Sequence, residues 1–114
     1  MAINEWSDDI LIAELGDEPA FSEDLGALMR RLESPAEKPV PDVILNMAGV
    51  TYLNSSNIAQ LLRLRKKVVS AGKRMRICAV ADPVWSVMLV TGLDKVFDFT
   101  DDVTTSLASL QLGL

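Results

Sequence analysis

Four apolar segments of strand character alternate with four of helical character along the 114 residues. That alternation predicts an α/β fold, a mostly parallel β-sheet of four to five strands with about four α-helices packed on it. Two observations strengthen the prediction. The central run "DVILNMAGV" (42–50) is continuously apolar, as a strand covered on both faces is. The helical segments carry apolar residues at three- and four-residue spacing, with acids early and bases late in the first of them. The length suits a single domain over residues 1–114.

Taken in order, "INEW" (3–6) suits a short edge strand and "DILIAEL" (9–15) a strand rich in β-branched and apolar residues. "GDEP" is turn chemistry. In "FSEDLGALMRRLES" (21–34), Phe21, Leu25, Leu28, Met29 and Leu32 share helical spacing. Ser22 is the expected N-cap, with Leu25 and Leu28 on the buried face. "SPAEKPVPD" holds three prolines in nine residues and reads as a loop. The next helix is expected from about Ser56 to Ser70, ending at Gly72. Its apolar side is assigned to Ile58, Leu61, Leu62, Leu64, Val68 and Val69, and its solvated stripe to Asn57, Gln60, Arg63 and Lys67.

"RMRICAV" (74–80) is the following strand. "DPVWSVMLVTGL" (82–93) is a helix with Asp82 as cap, Pro83 at its first position and Gly92 at its end. Placing Trp85, Met88 and Leu89 inward leaves Val84, Val87 and Val90 outward, a surface for a homodimer or a second protein partner. "VFDFT" (96–100) is a short last strand. Val103, Leu107 and Leu110 are spaced for a terminal helix.

Composition removes several classes of function. The chain has no histidine and one cysteine, Cys78, inside an apolar run. Ser–His and Cys–His couples are excluded, as are the common zinc sites, and no metal or other cofactor is expected. Cys78 reads as a small core residue. No run of 18 apolar residues is present, so no membrane span is expected. The start "MAINEWSDDILIAEL" lacks the basic and apolar regions of a signal peptide, which suggests a cytoplasmic protein. Residues 43–81 carry seven bases and no acids, whereas residues 1–42 carry 11 acids and three bases. Few aromatics accompany the bases, so surface pairing explains them better than nucleic acid does.

The stretch "TYLNSSNIAQLLRLRKK" (51–67) places Ser55 and Ser56 between Asn54 and Asn57 at a strand-to-helix turn. Function in such sheets tends to sit at the carboxyl ends of strands. Three readings of the serines compete. One is a helix cap, for which Ser55 and Asn54 are the candidates. A nucleophile is the second; it lacks the flanking glycines of a nucleophile elbow and any histidine. In the third, a phosphorylation switch, free helix N–H groups would hold the phosphate. A phosphate loop is excluded, because "NMAGVTYLNSSN" has one glycine and no Lys-Ser/Thr.

Residues 42–102 as a whole resemble the STAS domain, the fold of bacterial anti-sigma factor antagonists. "NSSN" and "TGLDKVFDF" at their separation carry the resemblance, together with the apolar strand, the Leu-rich basic helix and the Gly turn between them. The resemblance implies a STAS-like fold and a regulatory binding module, not an enzyme. Its partners would be an anti-sigma factor with serine kinase activity and a serine phosphatase. It implies Ser56 as phosphoacceptor, with the partner surface around Asn54, Ser55, Ser56 and Asn57 and along Gln60, Arg63 and Lys67. Asn54 stands where the family has Asp, and Asn57 where it has Gly. Two other readings remain open: a non-phosphorylated STAS scaffold in a signalling or transport complex, and a small-ligand or nucleotide-binding domain using the helix N-terminus as an anion site.

Overall fold

The computed structural model describes residues 3–33 and 39–113. Five of the nine residues of the proline-rich loop, 34–38, lie outside them. Strand β1 (Ile3–Glu5) runs antiparallel to β2 (Ile10–Gly16), with Asn4 opposite Ile12. Helix α1 (Ala20–Glu33) leads to β3 (Asp42–Gly49), and α2 (Ser55–Ser70) to β4 (Met75–Cys78). Helix α3 (Asp82–Thr91) and a 3-10 turn (Leu93–Lys95) precede β5 (Asp98–Thr100), and α4 (Val103–Gln111) follows. The sheet order is β1-β2-β3-β4-β5, and every pair from β2 onward is parallel.

Alternation along the strands divides the core between the two faces. Leu11, Ala13 and Leu15 of β2, Val43, Leu45 and Met47 of β3 and Met75 and Ile77 of β4 pack under α1, α2 and α3. Ile10, Ile12, Ile44 and Cys78 face the other way, against Leu110, Val103 and Leu107 of α4. The central strand is thus apolar without alternation because it has a helical layer on each side. Burial pushes the Cys78 thiol above its ordinary value, with a weaker opposing hydrogen bond from Ser106.

Two of the seven bases of the middle segment fasten α4. Arg74 pairs with Asp42 at 3.3 Å and donates to the Leu110 carbonyl at 2.7 Å, a cation placed at a helix C-terminus. Arg76, nearly buried, donates to Asp98 and to the Ser109 hydroxyl, each at 3.4 Å. Surface pairing accounts for Arg74, whereas Arg76 is a buried arginine paired within the fold. Arg63, Arg65, Lys66 and Lys67 of α2 form no ion pair among the described residues.

Four sequence expectations need correction. Ser22 does not cap α1, which begins at Ala20. Its amide and hydroxyl both donate to the Glu18 carboxylate, so Glu18 does the capping from one turn back. Asp82 is the first residue of α3 rather than its cap; Ala81 holds the cap position and makes no side-chain bond there. On α2, Leu62 and Val69 are exposed while Asn57 is buried. The helix is rotated so that Leu61, Leu64 and Val68 meet the sheet. On α3, Val84 and Met88 point inward, and Trp85, Leu89 and Val90 are exposed. Valine at 84 fits close to the sheet, while the larger indole of Trp85 takes the periphery, edge-on to Phe99 at 5.1 Å. Val84 is therefore unavailable as a second contact, and Val87 is only partly exposed.

At the ends of β2 and β3 the register shifts and Gly16 comes opposite Gly49. A Cβ at Gly49 would lie 2.9 Å from the Leu15 carbonyl oxygen, a backbone atom that cannot swing aside. One at Gly26, inside α1, would meet only the tip of Arg30 at 3.4 Å. Gly49→Ala is expected to lower stability by about 1–3 kcal/mol, and Gly26→Ala to raise it by about 0.5–1 kcal/mol. Urea-denaturation midpoints check both; an unshifted midpoint for Gly49→Ala would contradict the close approach.

Candidate functional site

Helix α2 starts where β3 has left the sheet and the chain has turned through Val50–Leu53. Four amides at a helix start have no intrahelical partner; here they belong to Asn54, Ser55, Ser56 and Asn57. Asn54 is the N-cap, with an extended backbone. Its side-chain oxygen accepts the Asn57 amide at 2.8 Å, and the Asn57 side-chain oxygen accepts the Asn54 amide at 3.1 Å. The pair forms a capping box built from two asparagines. The Ser55 and Ser56 amides keep no protein partner among the described residues, and both side chains are exposed.

Between the two candidate caps, the structure selects Asn54 and releases Ser55. It also relocates Asn57. Its side chain is 1% exposed and turned inward, so it adds no bulk to the outer surface. There its Nδ2 donates to Glu18 and to Gln60, each at 3.4 Å. Gln60 Nε2 donates in turn to the Ser22 hydroxyl at 3.2 Å. A polar network therefore joins the starts of α1 and α2, and among the described residues no buried side-chain polar atom is left without a partner.

A second carboxylate from the same β2–α1 turn holds the loop before the helix. Asp17 accepts the Thr51 amide at 2.8 Å and the Thr51 hydroxyl at 2.6 Å. Sequence reading missed Asp17, Glu18 and Thr51, although "GDEP" contains both acids. The contacts of Asp17 with Thr51 and of Glu18 with Asn57 span 34 and 39 residues, and no local spacing announces a contact at that separation; Glu18 and Ser22, four residues apart, are within reach of a local reading. The bonds act on the acids. The Thr51 hydroxyl, then its amide, hold the Asp17 carboxyl below its ordinary 3.8. The Ser22 hydroxyl, then its amide, hold Glu18 below 4.5, with a smaller contribution from Asn57.

Of the predicted contact residues, Asn54, Ser55, Ser56 and Arg63 are exposed, and Gln60 and Lys67 are partly so. Tyr52, half exposed, joins them from the preceding loop. The surface therefore combines two hydroxyls and, among the described residues, open amides at a helix start with bases that form no ion pair farther along the helix. Among the described residues there is no cluster of metal-ligating side chains, and no helix is long and apolar enough to cross a membrane.

Both carboxylates have depressed folded-state values, so the stability they confer is present above about 4.5 and is lost as pH falls through those lowered values. Denaturation between pH 6 and 2 (a chosen range of about four units) should show stability declining on the acid side. Replacing Asp17 and Glu18 together by Asn and Gln should make that decline shallower. An unchanged acid slope in the double variant would contradict the role given to the two carboxylates.

The family model of the STAS domain matches residues 5–106. The fold resembles a putative anti-sigma factor antagonist from Thermotoga maritima, with a TM-score of 0.79 and 14% identity, covering 96% of this chain and 92% of that one. It likewise resembles an anti-sigma-factor antagonist (STAS) domain protein from Planctomyces limnophilus, with a TM-score of 0.79, 16% identity and 96% of each chain covered. A sulfate transporter family protein from Wolinella succinogenes shares it at a TM-score of 0.74 and 20% identity, covering 90% of this chain and 85% of that one. At such identities the solved structures establish a shared fold, and the family match spans most of the sequence: the chain belongs to the STAS domain family.

Proposed function

We propose that this STAS chain is an anti-sigma factor antagonist-like binding module, acting in the cytoplasm and controlled by reversible phosphorylation of Ser56. Residues 1–114 would act as one unit. Its partner would be an anti-sigma factor that is also a serine kinase, and a serine phosphatase would reset it. The chain itself would catalyse nothing. The observation that supports this most is the division of labour at the start of α2. The two asparagines satisfy their own amides, so Ser56 is exposed beside amides that remain open.

A phosphate on Ser56 would meet those amides and the positive end of the helix dipole. It would add about −1.5 to −2 charge at neutral pH. Arg63, Arg65, Lys66 and Lys67, without an ion pair among the described residues, favour an acidic partner surface, and a new negative group at the edge of such an interface repels it. Contact would therefore be strong before phosphorylation and weak after it. Asn57 does not obstruct docking, because its side chain is packed inward.

One feature favours a second reading. Asn54 holds the cap position without a charge, so a kinase that requires an acid beside the acceptor would not act here. The chain would then be a non-phosphorylated scaffold subunit, and the fold shared with a sulfate transporter family protein is compatible with that role.

Incubation with the cognate kinase and ATP, followed by mass spectrometry, is expected to add one phosphate to the wild type and none to Ser56→Ala. Phosphate persisting in Ser56→Ala would overturn the assignment. Under the switch, Ser56→Asp should bind the partner more weakly than wild type; equal binding would favour the scaffold.

A further inference from the structure

Outside the serine edge, a cleft of about 270 Å3 opens at the carboxyl ends of β4 and β5. Ala79, Val80, Trp85, Phe99, Thr100 and Asp101 line it. Neither serine of the α2 start lines it, so what it does is independent of the phosphorylation reading. Crevices at the carboxyl ends of parallel strands are where open α/β sheets bind ligands.

The backbone at this spot is constrained. Ala79 has a φ of 57°, the only non-glycine positive φ among the described residues. Its amide donates to the Asp101 carbonyl at 3.1 Å, tying the β4–α3 turn to the end of β5. Non-glycine residues in the left-handed region persist where the surroundings over-determine them, and they gather at ligand clamps.

The chemistry of the lining narrows the ligand. Trp85 and Phe99, perpendicular at 5.1 Å, supply aromatic surface, and Val80 adds an apolar wall. The Thr100 hydroxyl is already engaged with the Asp102 carbonyl and Ser106. Nearby acids are also engaged: Asp98 with Arg76, and Asp102 in capping α4 through the Thr105 amide at 2.7 Å. Asp101 differs, since its exposed carboxylate has no hydrogen bond or ion pair among the described residues. No described lining residue is basic and Asp101 is the one charged group among them, so the lining favours a cation. Aromatic faces beside a free carboxylate are the recognition chemistry of an organic cation.

We propose that this cleft binds a guanidinium or ammonium group carried on an aliphatic stem. Its stem would lie against Val80 and the rings, and its charge would pair with Asp101. The volume is just below that of pockets for drug-sized ligands and suits one such group. The same chemistry is offered by a free small-molecule cation and by an Arg or Lys side chain of a partner protein.

Trp6→Phe leaves Trp85 as the reporting indole, since the chain has two tryptophans. Its fluorescence would be titrated with capped arginine amide, with its neutral citrulline counterpart, and with a Gly-Gly-Arg-Gly-Gly peptide. A saturable change with arginine but not citrulline is expected, with binding weakened about fivefold or more in Asp101→Asn. Tighter binding of the peptide than of the amide would identify a partner side chain as the source; equal binding would identify a free small molecule. No saturable change with either arginine probe would overturn the proposal. So would equal response to citrulline, or undiminished binding in an Asp101→Asn variant whose circular dichroism matches wild type.

Discussion

Asn54 and Asn57 exchange two bonds, each side chain satisfying the other's amide, and what the start of α2 offers to a partner depends on that exchange. A helix must find partners for four amides at its start. Had a serine taken the cap, its hydroxyl would be turned back to the backbone and withdrawn from solvent. With asparagines doing the work, both serines face outward and their amides stay open. The capping box needs a fixed support, and the polar network through Glu18, Ser22 and Gln60 supplies it. The Asp17–Thr51 bonds hold the preceding loop in place, and the absence of a side chain at Gly49 lets the two strand ends approach closely enough for these contacts.

Much of the fold was legible because its signals are local. The apolar run of β3, the Pro-Gly punctuation of α3 and the alternation of segment types each follow from a few neighbouring residues. The left-handed glycine after α2 and that ending α3 appear where the sequence placed them. What was not legible depends on contacts between distant segments. Helix α3 is apolar nearly all round, and its spacing predicts Trp85, Met88 and Leu89 inward; packing instead chose Val84 and Met88 and left Trp85 and Leu89 exposed. Asn57 read as solvated because asparagine is polar, yet it is buried, and a carboxylate 39 residues earlier in the chain gives it a partner there.

Charge separates two surfaces of different character. Among the described residues, Arg63, Arg65, Lys66 and Lys67 of α2 form no ion pair, whereas around β5 and the start of α4 acids predominate. Arg74 and Arg76 cross between elements and tie the sheet to α4, so they belong to the scaffold rather than to either surface. On the proposed roles, each surface would address a group of opposite sign, and the sheet between them fixes their relative placement. An apolar strip at Leu89 and Val90 lies on the outside of α3.

Amide hydrogen exchange by NMR reads the four amides at the start of α2 one by one. Slow exchange is expected at Asn54 and Asn57, whose amides are bonded, and fast exchange at Ser55 and Ser56, whose amides are open. Four amides exchanging at the same free rate would show that the capping box does not form. Protection centred on Ser55 and Ser56 instead would contradict the account outright.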